Sequence, residues 1–190
     1  MIKLKKINAF IAIGILDLHA FAKNRLDMPK RELEKAGSQF LLKQMLKTEI
    51  FEINYTAENK PFLKARTEHI SISHSHDKLA IIINENENTG IDIELVRDKV
   101  LKIQHKFLNA AEVVFVKDNV EKLITIWAAK EAMYKAYGLK ELDFKTNLFV
   151  EKFDSSVIFG KIEIGDLKKR FELRLENIDD YKMVYILNEL

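Results

Sequence analysis

Gly90-Ile91-Asp92-Ile93-Glu94 and Trp127-Ala128-Ala129-Lys130-Glu131-Ala132-Met133-Tyr134-Lys135-Ala136-Tyr137-Gly138 are the two stretches whose reading decides the fold. The first alternates isoleucine with acid. As a strand it sends Asp92 and Glu94 to one face and Ile91 and Ile93 to the other. Two like charges on one face repel unless something cationic lies close. The second stretch reads as a helix, with Trp127, Glu131 and Lys135 at i, i+4 and i+8 along one side. Gly138 stands where a helix-ending glycine belongs. A third carboxylate and an ammonium can therefore meet the first two. Three carboxylates suit a hard divalent cation such as Mg²⁺, and a lysine beside them suits a phosphate as a point charge. The plainer readings are an exposed acidic strand face and a helix-surface pair, Glu131 with Lys135, worth about 0.3–0.5 kcal/mol.

Working outward, residues 8–18 read as a buried strand. Asp27-Met28-Pro29-Lys30 reads as a helix entry, with Asp27 as cap and Pro29 in the first turn. The helix it opens, over 30–47, repeats Leu33, Phe40, Leu41, Met45 and Leu46 near helical spacing. Gly37 weakens that helix by about 1 kcal/mol relative to alanine, which points to a close contact there. A short strand over 50–54 leads to a turn at Glu58-Asn59-Lys60-Pro61. Residues 69–73 alternate as a strand, and 78–84 form a near-continuous apolar run. The polar turn over 84–90 predicts 78–84 and 91–95 as neighbouring antiparallel strands. Asn109 and Glu112 have capping-box spacing, and helices follow over 110–117 and 119–137. Strands are expected at 148–153, 157–164, 171–175 and 181–187. This order argues an α+β fold rather than a doubly wound parallel sheet.

The composition narrows the function classes. With 190 residues, the chain can form one large domain or two small units. Its formal net charge is only +2, so no bulk electrostatic case for nucleic acid exists. The absence of cysteine excludes disulfides and thiol catalysis and fits a reducing, cytoplasmic setting. Lys3, Lys5 and Lys6 ahead of the apolar residues 9–16, with Ala20-Phe21-Ala22 beyond, sketch a signal peptide. The shortness of that stretch, Gly14 within it and Asp17 at its end favour a first strand instead. No segment approaches ~20 apolar residues, so no transmembrane helix is expected.

Taken together, G-I-D-I-E and W-x-x-K-E-A-x-x-K resemble the 4′-phosphopantetheinyl transferases, in particular the longer, surfactin-synthetase-activating class. Asn59-Lys60-Pro61-Phe62-Leu63 resembles the G-K-P-x-L element of that family. Ile72-Ser73-His74-Ser75, with Ala80 beyond, resembles its N-x-S-H-S-x-x-x-x-A element. Lys106-Phe107-Leu108-Asn109-Ala110-Ala111-Glu112 resembles its R-F-F-S-x-x-E element. The resemblance runs from about residue 59 to 138. It implies two similar α+β halves about a pseudo-two-fold axis in one chain. Residues 1–100 would form the N-terminal, coenzyme A side, and 101–190 the half carrying the W-x-x-K-E helix. A weak echo between 77–83 and 180–186 is compatible with that symmetry. A chain holding both halves is expected to be a monomer.

The resemblance also implies an activity, that of a holo-[acyl-carrier-protein] synthase. The 4′-phosphopantetheine arm of coenzyme A moves to a serine of an acyl or peptidyl carrier protein, with Mg²⁺, and 3′,5′-ADP leaves. It implies Asp92, Glu94 and Glu131 as metal ligands and Lys135 as a catalytic donor to the coenzyme diphosphate. Ser73 and His74 would contact the coenzyme phosphates, and Lys60 and Pro61 its nucleotide end. The base that takes the serine proton stays open between Glu131, Glu112 and a metal-polarised water. Lys130 has a supporting role, and Trp127 reads as a buried anchor. His76 beside His74 raises the thought of zinc, but no third soft ligand lies near.

One position departs from the family. Gln39 stands where an arginine usually meets the 3′-phosphate of the coenzyme, with Lys30, Arg31, Lys35 and Lys43 as candidates to compensate. Lys102, Lys106 and Lys117 mark a surface for an acidic carrier. The alternative is a member that binds coenzyme A or a carrier but no longer transfers.

Overall fold

The computed structural model describes residues 1–23, 28–139, 142–154 and 156–190. The expected cap at Asp27 lies outside the described residues. Two compact units divide the chain, Met1–Thr89 and Gly90–Leu190. That division falls earlier than the expected one at residue 100. The reason is the pairing of the G-I-D-I-E strand, which bonds to the last strand of the chain.

In the first unit, β1 (Ile2–Lys6), β2 (Ile11–Asp17), β5 (His69–Ser75) and β6 (Lys78–Asn84) form an antiparallel sheet in the order β1-β2-β6-β5. β3 (Ile53–Tyr55) and β4 (Pro61–Leu63) make a separate ladder. The short α1 (Leu18–Ala22) is capped by Asp17, whose side chain accepts from the Ala20 amide. The long α2 (Lys30–Leu46) lies on β2 and β6. Leu41 and Leu42 of α2 meet Leu16, Ile70, Leu79 and Ile81 in one apolar core. The close contact expected at Gly37 is present. A Cβ there would lie 2.9 Å from a methyl of Leu18 and 3.2 Å from one of Leu16.

In the second unit, five antiparallel strands run in the order β7-β11-β10-β9-β8. They are β7 (Ile91–Leu95), β8 (Leu148–Phe153), β9 (Val157–Ile164), β10 (Leu167–Ile178) and β11 (Tyr181–Glu189). Two 3₁₀ turns, Asp98–Lys102 and Gln104–Lys106, lead to α3 (Ala110–Val116) and α4 (Val120–Tyr137). The Asn109–Glu112 capping box forms in full at the start of α3. Asn119 caps α4, and Gly138 ends it at φ 73°. The core joins Leu123, Ile126 and Met133 of α4 to Leu148, Ile158, Phe171 and Leu173 of the sheet.

The fold is therefore mixed α+β with antiparallel sheets, as the element order implies. One expected pairing is corrected. β6 and β7 are not neighbours: β6 lies between β2 and β5, and β7 pairs only with β11 among the described residues. A polar stretch between two apolar runs is the local signature of a hairpin, but it does not specify the partner. β1 and α1 are additions to the expected elements. β1 is largely exposed, with Ile2 alone of its residues packed against the core, and α1 is too short to establish a period.

Candidate active site

β7 and α4 build the site, and Gly90 sets their spacing. A Cβ at Gly90 would lie 1.9 Å from the carbonyl oxygen of Ala132. Only a glycine lets the strand approach the helix backbone so closely. Ile91 and Ile93 are fully buried, which fixes the register and so the face on which the acids lie.

Along that face, α4 runs with Lys135 beside Asp92 and Trp127 beside Glu94. Lys135 Nζ donates to Asp92 Oδ1 at 2.7 Å and to the Ile91 carbonyl at 3.1 Å. Trp127 Nε1 donates to Glu94 Oε1 at 3.2 Å. Glu131 lies one helical turn from each of these contacts. Burial pushes its carboxyl up to about 7, Asp92 adds to the rise, Lys135 opposes it and Glu94 adds a little more. The three acids are therefore close enough to feel one another, with an ammonium among them.

As the side chains stand, no three His, Asp or Glu residues are gathered closely enough to hold an ion, among the described residues. The chemistry of the donor set nevertheless fits Mg²⁺. All three candidate ligands are hard carboxylate oxygens, the donor type that Mg²⁺ prefers.

Glu112 is not part of this group. It is fully buried, and its Oε1 accepts from the Val150 amide at 2.8 Å. Its Oε2 accepts from Lys130 Nζ at 2.8 Å and from the Asn109 amide at 3.0 Å. A carboxylate so engaged and out of water's reach is a poor proton acceptor for an incoming hydroxyl, so the geometry gives Glu112 a structural duty. Lys130 has no exposure at all. Besides Glu112 it donates to the Phe107 carbonyl at 2.6 Å and the Phe144 carbonyl at 2.8 Å. Its ammonium thus ties α4 to the segment before α3 and to the loop before β8. Burial pulls its pKa down, while Glu112 and Asp143 pull it back up.

Trp127 is only partly buried, where the sequence reading expects a buried anchor. Its ring packs edge-on against Phe107 at 5.2 Å and stacks on Phe144 at 5.3 Å, while its N–H serves Glu94. It is an anchor with a polar task.

The remaining candidates belong to the first unit. His74, next to last in β5, is half-exposed, with Nδ1 3.3 Å from Glu34 Oε1 of α2. Ser73 is buried. Lys60 Nζ donates to Asn88 Oδ1 at 3.0 Å. Pro61 opens β4 opposite Tyr55. Asn59 takes φ 66°, so it fills the turn position where the family has glycine. Gln39 is half-buried on α2. The sequence reading missed Glu34 altogether, since a lone helix acid carries no signal until the fold brings His74 to it.

Comparison with protein families now adds to this geometry. The sequence model of the 4′-phosphopantetheinyl transferase superfamily matches residues 88–186, more than half of the chain. The chain belongs to this superfamily, whose members are transferases of the phosphopantetheinyl type with coenzyme A as substrate. Among curated proteins none matches the chain. The matched stretch contains β7, α3, α4 and the strands that support them.

Proposed function

We propose that this protein transfers the 4′-phosphopantetheine arm of coenzyme A to a serine hydroxyl of an acyl or peptidyl carrier protein. The observation that carries the reading is that α4 reaches Asp92 of β7 through Lys135 and Glu94 through Trp127, with Glu131 one turn from each, inside the stretch that matches the family. In the reaction, the serine Oγ forms a bond to the phosphorus on the pantetheine side of the diphosphate. The bond from that phosphorus to the bridging oxygen breaks, and its electron pair leaves on 3′,5′-ADP. Phosphoryl transfer asks the protein mainly to position groups and to meet charge.

The base that takes the serine proton is Glu131 or a metal-polarised water, since Glu112 is closed off by Lys130 and the Val150 amide. Lys135, held between Asp92 and the Ile91 carbonyl and partly exposed, would meet the diphosphate with its positive charge. Mg²⁺, held by Asp92, Glu94 and Glu131, would supply further positive charge to the diphosphate and the leaving group. In the first unit, His74 and Ser73 would meet the coenzyme phosphates, and Lys60 and Pro61 its nucleotide end.

Carrier docking fits the surface around α3. Lys102, Lys106 and Lys117 are exposed there, and Val113 and Val114 present their side chains to solvent beside them. Lysines around a small apolar patch suit an acidic, amphipathic partner. The test is to incubate an apo carrier protein with this protein, coenzyme A and Mg²⁺ and read the carrier's mass. The proposal expects one added phosphopantetheine on serine; carriers that stay unmodified across acyl and peptidyl types would refute it.

A further inference from the structure

A mostly covered acid in the first unit has no part in the scheme above. Glu34 sits in α2 with its side chain 12% exposed, facing the end of β5. Its Oε1 is shut away from water and makes no well-formed hydrogen bond. Two donors stand near that oxygen: His74 Nδ1 at 3.3 Å and Lys30 Nζ, one turn back on the same helix, at 3.7 Å. Lys30 is 70% exposed, so its ammonium is largely hydrated and holds the acid weakly. Leaving a carboxylate oxygen buried without a donor is costly. A proton on His74 Nδ1 would lower that cost, since a small turn of the ring brings it onto Oε1. The imidazole then has its other nitrogen, Nε2, turned away from Glu34, and His74 is 48% exposed, so Nε2 can meet a ligand.

We propose that Glu34 is a positioning residue. It holds the proton of His74 on Nδ1 and fixes the ring, so that Nε2 is the nitrogen presented to a coenzyme phosphate. The proposal rests on the transferase reading for the identity of the ligand, but the pairing itself does not. Carboxylate–histidine pairs of this kind set which ring nitrogen does the work. With Glu34 in place, neutral His74 adopts the Nδ1–H tautomer, which free histidine disfavours. Once protonated, the ring donates from Nε2 to phosphate while still donating from Nδ1 to Glu34.

The experiment is nitrogen NMR of the full chain labelled at histidine, at about pH 9, where imidazoles are neutral. His74 is identified by the signals lost in His74→Gln. We expect Nδ1 of His74 to be protonated in the wild type, the proton to move to Nε2 in Glu34→Ala, and Glu34→Gln, which keeps an acceptor, to retain the wild-type tautomer. A wild-type proton on Nε2, or a Glu34→Ala tautomer unchanged from wild type, overturns the proposal. Adding coenzyme A near neutral pH should then shift Nε2 of His74. Glu34→Ala should raise KM for coenzyme A on the order of tenfold, with little change in kcat. His74→Ala should do the same, and the double variant should cost little more than either single one. An Nε2 signal unmoved by saturating coenzyme A, in a protein that still modifies its carrier, overturns the phosphate contact. Since the tautomer is read without coenzyme or carrier, failure of the pairing and failure of the transferase reading give different results.

Discussion

At the scale of single residues, an acid held near 7 makes folding itself depend on pH. Glu131 ionises near 4.5 in an unfolded chain and near 7 in the folded one. Between those values the folded state keeps a proton that the unfolded state has lost. Its contribution to stability is therefore full below about pH 4.5, falls as pH rises toward 7, and stays at the lower level above. Glu131→Gln should flatten that fall, measured as the difference between variant and wild type in urea midpoints across the window. Identical slopes would show that Glu131 is not held in this state. A cation at the site should oppose the effect. Mg²⁺ should raise the melting temperature of the wild type near pH 8 and leave Glu131→Gln almost unmoved.

Lys130 yields a different expectation, because its pairing with Glu112 is closed off from water. Lys130→Met should cost about 3–5 kcal/mol by leaving Glu112 buried and charged with only the Val150 and Asn109 amides for partners. Replacing Glu112 as well should return much of that loss, which chemical denaturation of the single and double variants would show. In the sequence Lys130 has a supporting role in the helix motif but no sign of full burial, which is rare for lysine. Only the carbonyls of Phe107 and Phe144 around it reveal its place.

At the scale of elements, the β7–α4 contact is the part of the site most open to a single methyl group. Gly90→Ala brings a Cβ against the Ala132 backbone, which cannot swing aside as a side chain would. The strand must move, and the expected loss is roughly 1–3 kcal/mol or more of stability, together with most of the transfer activity. A variant as stable and active as the wild type would remove this contact from the account. The alternation in β7 and the 127–131–135 spacing in α4 were legible from residue types, because both depend on local periodicity. The partner of β7 was not, because Tyr181–Glu189 lies far along the chain and nothing local distinguishes it from the nearer run at 78–84. The capping box at Asn109 and Glu112 was legible as a helix start. Its second consequence, that the same Glu112 is locked to Lys130 and the Val150 amide, needed the fold.

At the scale of the molecule, the family match begins at residue 88 and the second compact unit at Gly90. The family signal thus lies almost wholly in the unit that carries the three acids and Lys135. The first unit holds the candidate coenzyme contacts Lys60, Ser73 and His74, which only the motif resemblance singled out. A chain with both units is expected to work alone, so light scattering should return a mass near that of one 22.1 kDa chain. A threefold larger mass would contradict that expectation.

The central claim is that Asp92, Glu94, Glu131 and Lys135 transfer the arm with the help of a divalent cation. It is tested most directly by the mass of a carrier protein after incubation with coenzyme A. The account predicts complete modification with wild type and Mg²⁺, none in excess chelator, and none with Asp92→Ala. It predicts a turnover lower by about 10²–10³ with Lys135→Ala, together with a lower melting temperature, because buried Asp92 loses its ammonium partner. Undiminished modification in excess chelator, or by Asp92→Ala, would contradict it.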